Sequence, residues 1–161
     1  MKIIVAVDKN WGIGKDNGLL TYIPDDLKYF KEKTLDKVVV MGRRTLESLP
    51  GAKPLPKRTN IVLTSDKDYK VDCHVCHSTK ELEEQLENYE SDNVYIIGGA
   101  KVYKDFLSDC DTCFVTKIDK AFEPDRYFDN LDENKDFELF WESEVKEHNG
   151  IKYRFTEYRR K

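Results

Sequence analysis

Long apolar runs are missing from this sequence. The longest is IIVAV, Ile3 to Val7, inside the opening stretch MKIIVAVDKN. It is too short for the core of a signal peptide and far too short to cross a bilayer. No membrane association and a cytoplasmic location are expected. A dominant charge is also missing. Charged residues make up 36% of the chain, yet 27 Lys and Arg against 31 Asp and Glu leave a net charge of only −4. That balance argues against nucleic acid or an anionic membrane as the main partner, while leaving room for a local basic pocket. Five prolines and eight glycines are spread along 161 residues without forming a linker, and no repeat or low-complexity tract interrupts the chain. A single domain over residues 1–161, monomeric, is expected.

Cysteine is scarce, but its spacing invites a metal reading. Cys73, Cys76 and His77 form C-x-x-C-H, and Cys110 and Cys113 a second C-x-x-C. The stretch YKVDCHVC alternates as a strand does, and residues three apart on a strand point to opposite faces. Cys73 and Cys76 are therefore not expected to share a metal, and the four thiols are expected to stay reduced. No metal site is assigned.

Strand and helix signals alternate. IIVAV, KVVVM, TNIVLTS, VDCHVC, NVYII and TCFVTKI read as strands, and residues 24–34, GRRTLESL, STKELEEQLENY and the segment after Gly99 as helices. Ser78 and Glu81 have capping-box spacing. The tail carries two alternating runs, FELFWESEVKE and IKYRFTEYR, joined at Asn149-Gly150, a hairpin signal. Buried strands alternating with helices imply an α/β fold: a mostly parallel mixed sheet with helices on both faces, closed by a C-terminal antiparallel hairpin. Ligands of such sheets bind outside the carboxyl ends of the strands.

Three of those strand ends suit an anion. Gly98, Gly99 and Ala100 allow close backbone approach before a helix. Gly42 is followed by Arg43, Arg44 and Thr45 at another helix start, where two arginines oppose the helix dipole unless an anion lies beside them. Thr64 and Ser65 end a third strand with hydroxyls. A tight turn or a charged surface explains each alone; together they suggest a dinucleotide carrying an extra phosphate.

One acid is out of place. In LLTYIPDDLKYF, Pro24 suits the first helical position and both Asp25 and Asp26 suit the positive end of the helix. At 100° per residue from Ile23, Leu27 lies at about 40°, Phe30 at about 340° and Asp26 at about 300°, while Asp25 lies at about 200°. Asp26 thus borders the core-facing stripe and Asp25 faces away. A dipole partner is the plain reading; a carboxylate held in an apolar cleft for chemistry is the sharper one.

With these pieces in place the chain resembles dihydrofolate reductases along almost its whole length. The resemblance rests on GIGKDNGLL, IPDDLKYFK, VVVMGRRTLESL, PLPKRTNIVLTS, YIIGGAKVY and FVTKID, in the family's order. It implies an eight-stranded sheet and reduction of 7,8-dihydrofolate by NADPH. Asp26 falls at the family's pterin-pocket acid, supported by Thr116. The resemblance further assigns the substrate to Ile4, Leu27, Phe30, Leu49 and Ile97 around the pterin, and to Lys53 and Arg58 at the glutamate tail. To the cofactor it assigns Ala6, Gly12, Ile13, Gly14, Lys15, Asp16, Asn17 and Gly18 near the nicotinamide. By the same resemblance Arg43, Arg44, Thr45, Thr64, Ser65, His77 and Lys101 would surround the adenosine and its 2′-phosphate, and Gly98, Gly99, Ala100, Lys101 and Val102 would cradle the pyrophosphate. It also implies a cis Gly98–Gly99 peptide. The sequence departs from the family at Leu20-Thr21, where many members have Pro-Trp.

Two other readings compete. A related-fold NADPH reductase of riboflavin synthesis gives no reason for the acid in IPDDLKYFK. A binding module that no longer turns over would not need every expected side chain to be present.

Overall fold

The computed structural model describes residues 1–14 and 19–161; Lys15, Asp16, Asn17 and Gly18, assigned above to the cofactor, lie outside the described residues. The strands are β1 (Lys2–Val7), β2 (Gly12–Gly14), β3 (Val38–Gly42), β4 (Thr59–Leu63), β5 (His74–Cys76), β6 (Val94–Gly98), β7 (Thr112–Ile118), β8 (Arg126–Tyr127), β9 (Phe137–Glu142), β10 (Lys146–His148) and β11 (Ile151–Arg160). The helices are α1 (Pro24–Thr34), α2 (Arg43–Ser48), α3 (Thr79–Leu86) and α4 (Ala100–Phe106).

The main sheet runs β10-β11-β7-β1-β6-β3-β4-β5, parallel from β7 to β5 and antiparallel where β11 joins β7. These are the eight positions expected, but nine strands fill them. The run FELFWESEVKE breaks into β9 and β10, which pair end to end with one edge of β11. Ser143 causes the break: its hydroxyl accepts from the Phe155 N–H at 2.9 Å, replacing a ladder bond. The Asn149-Gly150 turn has φ of 50° and 81°, the double left-handed geometry that suits a tight hairpin. A separate ribbon, β2 with β8, has no counterpart in the sequence expectation; strands of three and two residues leave too little periodicity to read.

Alternation along the strands divides the core. One face gathers Ile3, Val5, Val40, Ile61, Ile96 and Val115 under α3 and α4, whose Leu82, Val102 and Phe106 complete it. The other gathers Ile4, Val39, Met41, Val62, Ile97 and Phe114 under α1 and α2. The expected opposite facing of the cysteines follows: Cys76 belongs to the first cluster and Cys73 packs against the second. Ser78 caps α3, accepting from the Glu81 N–H at 3.1 Å, while the Glu81 carboxylate accepts from the His77 N–H at 2.8 Å.

The sheet opens between β1 and β6. Their ladder holds only Lys2 to Tyr95 and Ile3 to Ile96, whereas β1 stays paired with β7 as far as Val7 and Lys117. On the far side of β6 the register to β3 shifts, so that Val40 meets Ile96 and Met41 meets Gly98, skipping Ile97. A slot therefore forms at the carboxyl ends of β1 and β6. The Gly98–Gly99 peptide at its rim is cis, as the resemblance implied. No described helix is long and apolar enough to cross a membrane.

Candidate active site

The N-terminal turn of α1 carries the acid to the slot. Pro24 starts the helix, and Ile23, buried at its cap, accepts from the Asp26 N–H at 3.0 Å. Thr116, buried on β7 beside Ala6 of β1, donates its hydroxyl to Asp26 Oδ1 at 2.6 Å. Burial pushes the Asp26 carboxyl up to about 6; the Thr116 hydrogen bond works against that rise, and the neighbouring charge of Asp25 adds to it. Asp25 is exposed, as the helical wheel placed it, but it is not idle. Tyr153 of β11 donates to its Oδ2 at 3.0 Å, tying the helix start to the sheet.

The walls follow the expected positions with one difference. Ile4 and Ile97 are buried at the slot, and Phe30 and Leu49 are half-buried against the same cluster. Leu27, placed by periodicity in the core-facing stripe, is instead 39% exposed. The cause is the slot itself, since α1 borders open space where a continuous sheet would have met it. The Ile4 carbonyl accepts from the buried Tyr103 hydroxyl at 2.9 Å, so α4 braces β1 where its ladder to β6 has ended. Farther out, Arg58 is half-buried, with Nε donating to Thr34 Oγ1 at 3.2 Å and a terminal nitrogen to the Pro56 carbonyl at 2.8 Å. Lys53 is exposed.

Glycine lines the opposite side. Gly98 has φ of +133°, and a Cβ there would meet Thr45 Oγ1 at 3.2 Å; at Gly99 it would meet the same oxygen at 3.5 Å. Val102 turns its side chain into the core against Gly42. Helix geometry leaves the N–H groups of Ala100, Lys101 and Val102 without intrahelical acceptors. At the far strand ends Arg43, Arg44 and Ser65 are exposed, Thr64 is buried, and His77 Nδ1 lies 3.1 Å from the Thr64 carbonyl. Lys101 pairs with Asp105 at 2.9 Å, one turn along α4. Gly12 to Gly14, in β2, are held against β8; a Cβ on Gly12 would collide with the Pro124 ring.

A family model for dihydrofolate reductase matches residues 1–160. The chain belongs to the dihydrofolate reductase family. It is 39% identical to the dihydrofolate reductase of Bacillus subtilis, over all of this chain and 95% of that one. It is 37% identical to that of Staphylococcus haemolyticus, over 99% and 95% of the two chains. The solved structure of the Enterococcus faecalis dihydrofolate reductase complexed with NADP(H) and RAB-propyl superposes with a TM-score of 0.87 at 36% identity, covering 99% of this chain and 95% of that one.

Sequence reasoning missed four polar residues of this dihydrofolate reductase family member. Tyr103 braces Ile4, Thr34 holds Arg58, Asp66 pairs with Arg43 at 3.0 Å, and Asp8 is buried with its carboxylate accepting from three backbone N–H groups. Only Asp8 left a signal, an acid directly after the apolar run Ile3 to Val7.

Proposed function

We propose that this protein reduces 7,8-dihydrofolate to 5,6,7,8-tetrahydrofolate with NADPH, supplying one-carbon metabolism. The observation that carries the reading is the Asp26–Thr116 pair at the mouth of the slot between β1 and β6. Asp26 accepts hydrogen bonds from the amino-pyrimidine edge of the pterin and favours the N5-protonated substrate. Its raised value keeps a protonated fraction within reach of neutral pH. Thr116 fixes the carboxylate and keeps one oxygen oriented to the slot. The carbonyls of Ile4 and Ile97 bracket the pyrimidine, Leu27, Phe30 and Leu49 wall the ring, Arg58 takes the glutamate tail as a guanidinium takes a carboxylate, and Lys53 adds a second, weaker contact to the tail.

The residues present fit the cofactor: the approach to Gly98 and Gly99 that a Cβ would crowd suits a pyrophosphate. NADPH supplies the hydride that reaches C6. Ala6 and Gly12 to Gly14 flank the nicotinamide end, Gly98 to Val102 hold the pyrophosphate, and Arg43, Arg44, Thr45, Thr64, Ser65, His77 and Lys101 surround the adenosine end.

The same reading makes the protein a cytoplasmic monomer. Strand β9, paired among the described residues only with β11, exposes Leu139, Phe140 and Trp141, but antiparallel self-pairing about Phe140 would set Glu138 against Glu142 of the second copy. Loss of NADPH absorbance on adding dihydrofolate tests the activity; no loss with folded protein would reject it. Sedimentation at micromolar concentration tests the monomer.

A further inference from the structure

We infer that Asp66 sets how strongly the protein prefers NADPH over NADH, by competing with the cofactor's 2′-phosphate for Arg43. The inference rests on the reading above that the adenosine end lies over β4 and β5. The sheet order supports that placement. Asp26 and Thr116 mark the reacting end beside β7, and β4 lies four strands away through β1, β6 and β3, about 19 Å at ~4.8 Å per step. An extended dinucleotide starting at the slot ends there.

Arg43 already has partners. Its Nε donates to Glu47 at 2.7 Å, a terminal nitrogen donates to Asp66 Oδ2 at 3.0 Å, and the Tyr69 ring covers one face of its guanidinium at 4.8 Å. Glu47 is the ordinary neighbour one turn along α2. Asp66 comes from a different strand end and is itself held in place. Its N–H donates to Thr64 Oγ1 at 3.2 Å, and its Oδ1 accepts from the Asp68 N–H at 3.0 Å. A fixed carboxylate thus occupies the guanidinium position that a phosphate oxygen would take, directly after the hydroxyl residues Thr64 and Ser65.

Two recognition chemistries meet at this point. An acid suits a ribose 2′-hydroxyl, which can donate to it, and an arginine suits a 2′-phosphate. A bound 2′-phosphate must displace Asp66 from Arg43 or lie against its charge. NADH meets no such repulsion. Arg44, exposed and without an acidic partner among the described residues, retains attraction for the phosphate. The side chains of Arg43 and Asp66 are each 42% exposed, so solvent screens the repulsion and its effect is moderate.

The test is titration of NADPH and NADH binding, by quenching of protein fluorescence, for the parent protein, Asp66→Asn and Arg43→Gln. Thermal melts confirm folding. Asp66→Asn keeps the size and the local backbone bond but removes the charge. It should tighten NADPH binding by ~3- to 10-fold while leaving NADH unchanged or weaker. NADPH binding that stays the same or weakens in Asp66→Asn overturns the inference, because Asp66 would then be orienting Arg43 rather than competing for it. Arg43→Gln should weaken NADPH far more than NADH. If it weakens neither, the placement of the adenosine end is wrong, a failure distinct from that of Asp66 alone.

Discussion

The Thr116 hydroxyl donates to Asp26 Oδ1 at 2.6 Å across the mouth of the slot. A hydrogen bond to the charged form lowers a carboxyl's pKa, here against the rise caused by burial. Thr116→Val removes the donor and keeps the shape. The acid-side inflection in the pH dependence of single-turnover hydride transfer should move to higher pH, by on the order of one unit for each ~1.4 kcal/mol that the bond contributes. An unmoved inflection would separate Thr116 from the titration of Asp26.

Asp26→Asn should trade activity for stability. Losing the acid should cut turnover at neutral pH by ~10²–10⁴, with part of it regained at lower pH as bulk protonation of dihydrofolate takes over. The stability effect runs the other way. The folded-state value of about 6 lies above the ordinary 3.8, so the native protein holds more protons between those values, and its stability falls as pH rises through that window. Asn carries no charge to bury. Denaturant unfolding at pH 7 should find the variant more stable by about 2–3 kcal/mol, with the gain vanishing near pH 4.

Asp25 adds its charge to the rise at Asp26 and accepts from Tyr153 at 3.0 Å. Asp25→Asn keeps an acceptor for Tyr153 but removes the repulsion. The Asp26 inflection should move to lower pH, and turnover at neutral pH should change by less than ~10-fold. A loss as large as that of Asp26→Asn would show that the two acids share one role.

Arg58 is anchored twice, at Thr34 and at Pro56, and burial lowers the pKa of its guanidinium. Both features favour capture of a carboxylate. Arg58→Gln should raise the KM for dihydrofolate by ~10- to 100-fold, the scale of a charge-assisted hydrogen bond, with kcat little changed. A reducible pterin without the glutamate tail should show no difference between the two proteins. Equal losses for both substrates would place Arg58 in the fold rather than at the tail.

Local signals carried much of this site. Pro24 and the angle of Asp26 on α1 announced the acid, the Ser78–Glu81 spacing announced α3, and Asn149-Gly150 announced the hairpin. Each is a relation among neighbours in sequence, and the structure keeps each. The missed contacts are of another kind. Tyr103 reaches Ile4 across 99 residues, Arg58 reaches Thr34 across 24, and Arg43 reaches Asp66 across 23. They form because the sheet order sets β1, β6, β3 and β4 side by side, and no periodicity along the chain encodes that order. Leu27 shows the converse. Its spacing is that of a core residue, but the strands beneath α1 have parted, and the same position becomes the wall of a slot.

Asp8 offers the sharpest test of how the loop after β1 is held. It is 2% exposed, and no Lys, Arg or His among the described residues forms an ion pair with it. Oδ1 accepts from the N–H groups of Asn10 and Gly12, both at 2.8 Å, and Oδ2 accepts from Phe122 at 3.1 Å. Three backbone donors stand in for a counter-ion. They join the turn after β1, the start of β2 and the segment that leads to β8. Asp8→Asn must turn an amide nitrogen, a donor, toward at least one of these donors. Either Phe122 or the Asn10–Gly12 pair then loses its acceptor in a buried place. The unmade bond should lower stability by about 1–3 kcal/mol, measured by denaturant unfolding. Asp8→Ala leaves all three donors without an acceptor and should cost more. Because β2 includes Gly12, Ile13 and Gly14 of the proposed nicotinamide site, hydride transfer at saturating NADPH should also slow in Asp8→Asn, while Asp66→Asn leaves that rate unchanged. A stable Asp8→Asn with an unaltered hydride step would mean that the loop is fixed by its other backbone bonds, such as Asp8 N–H to the Gly12 carbonyl at 2.9 Å, rather than by the carboxylate.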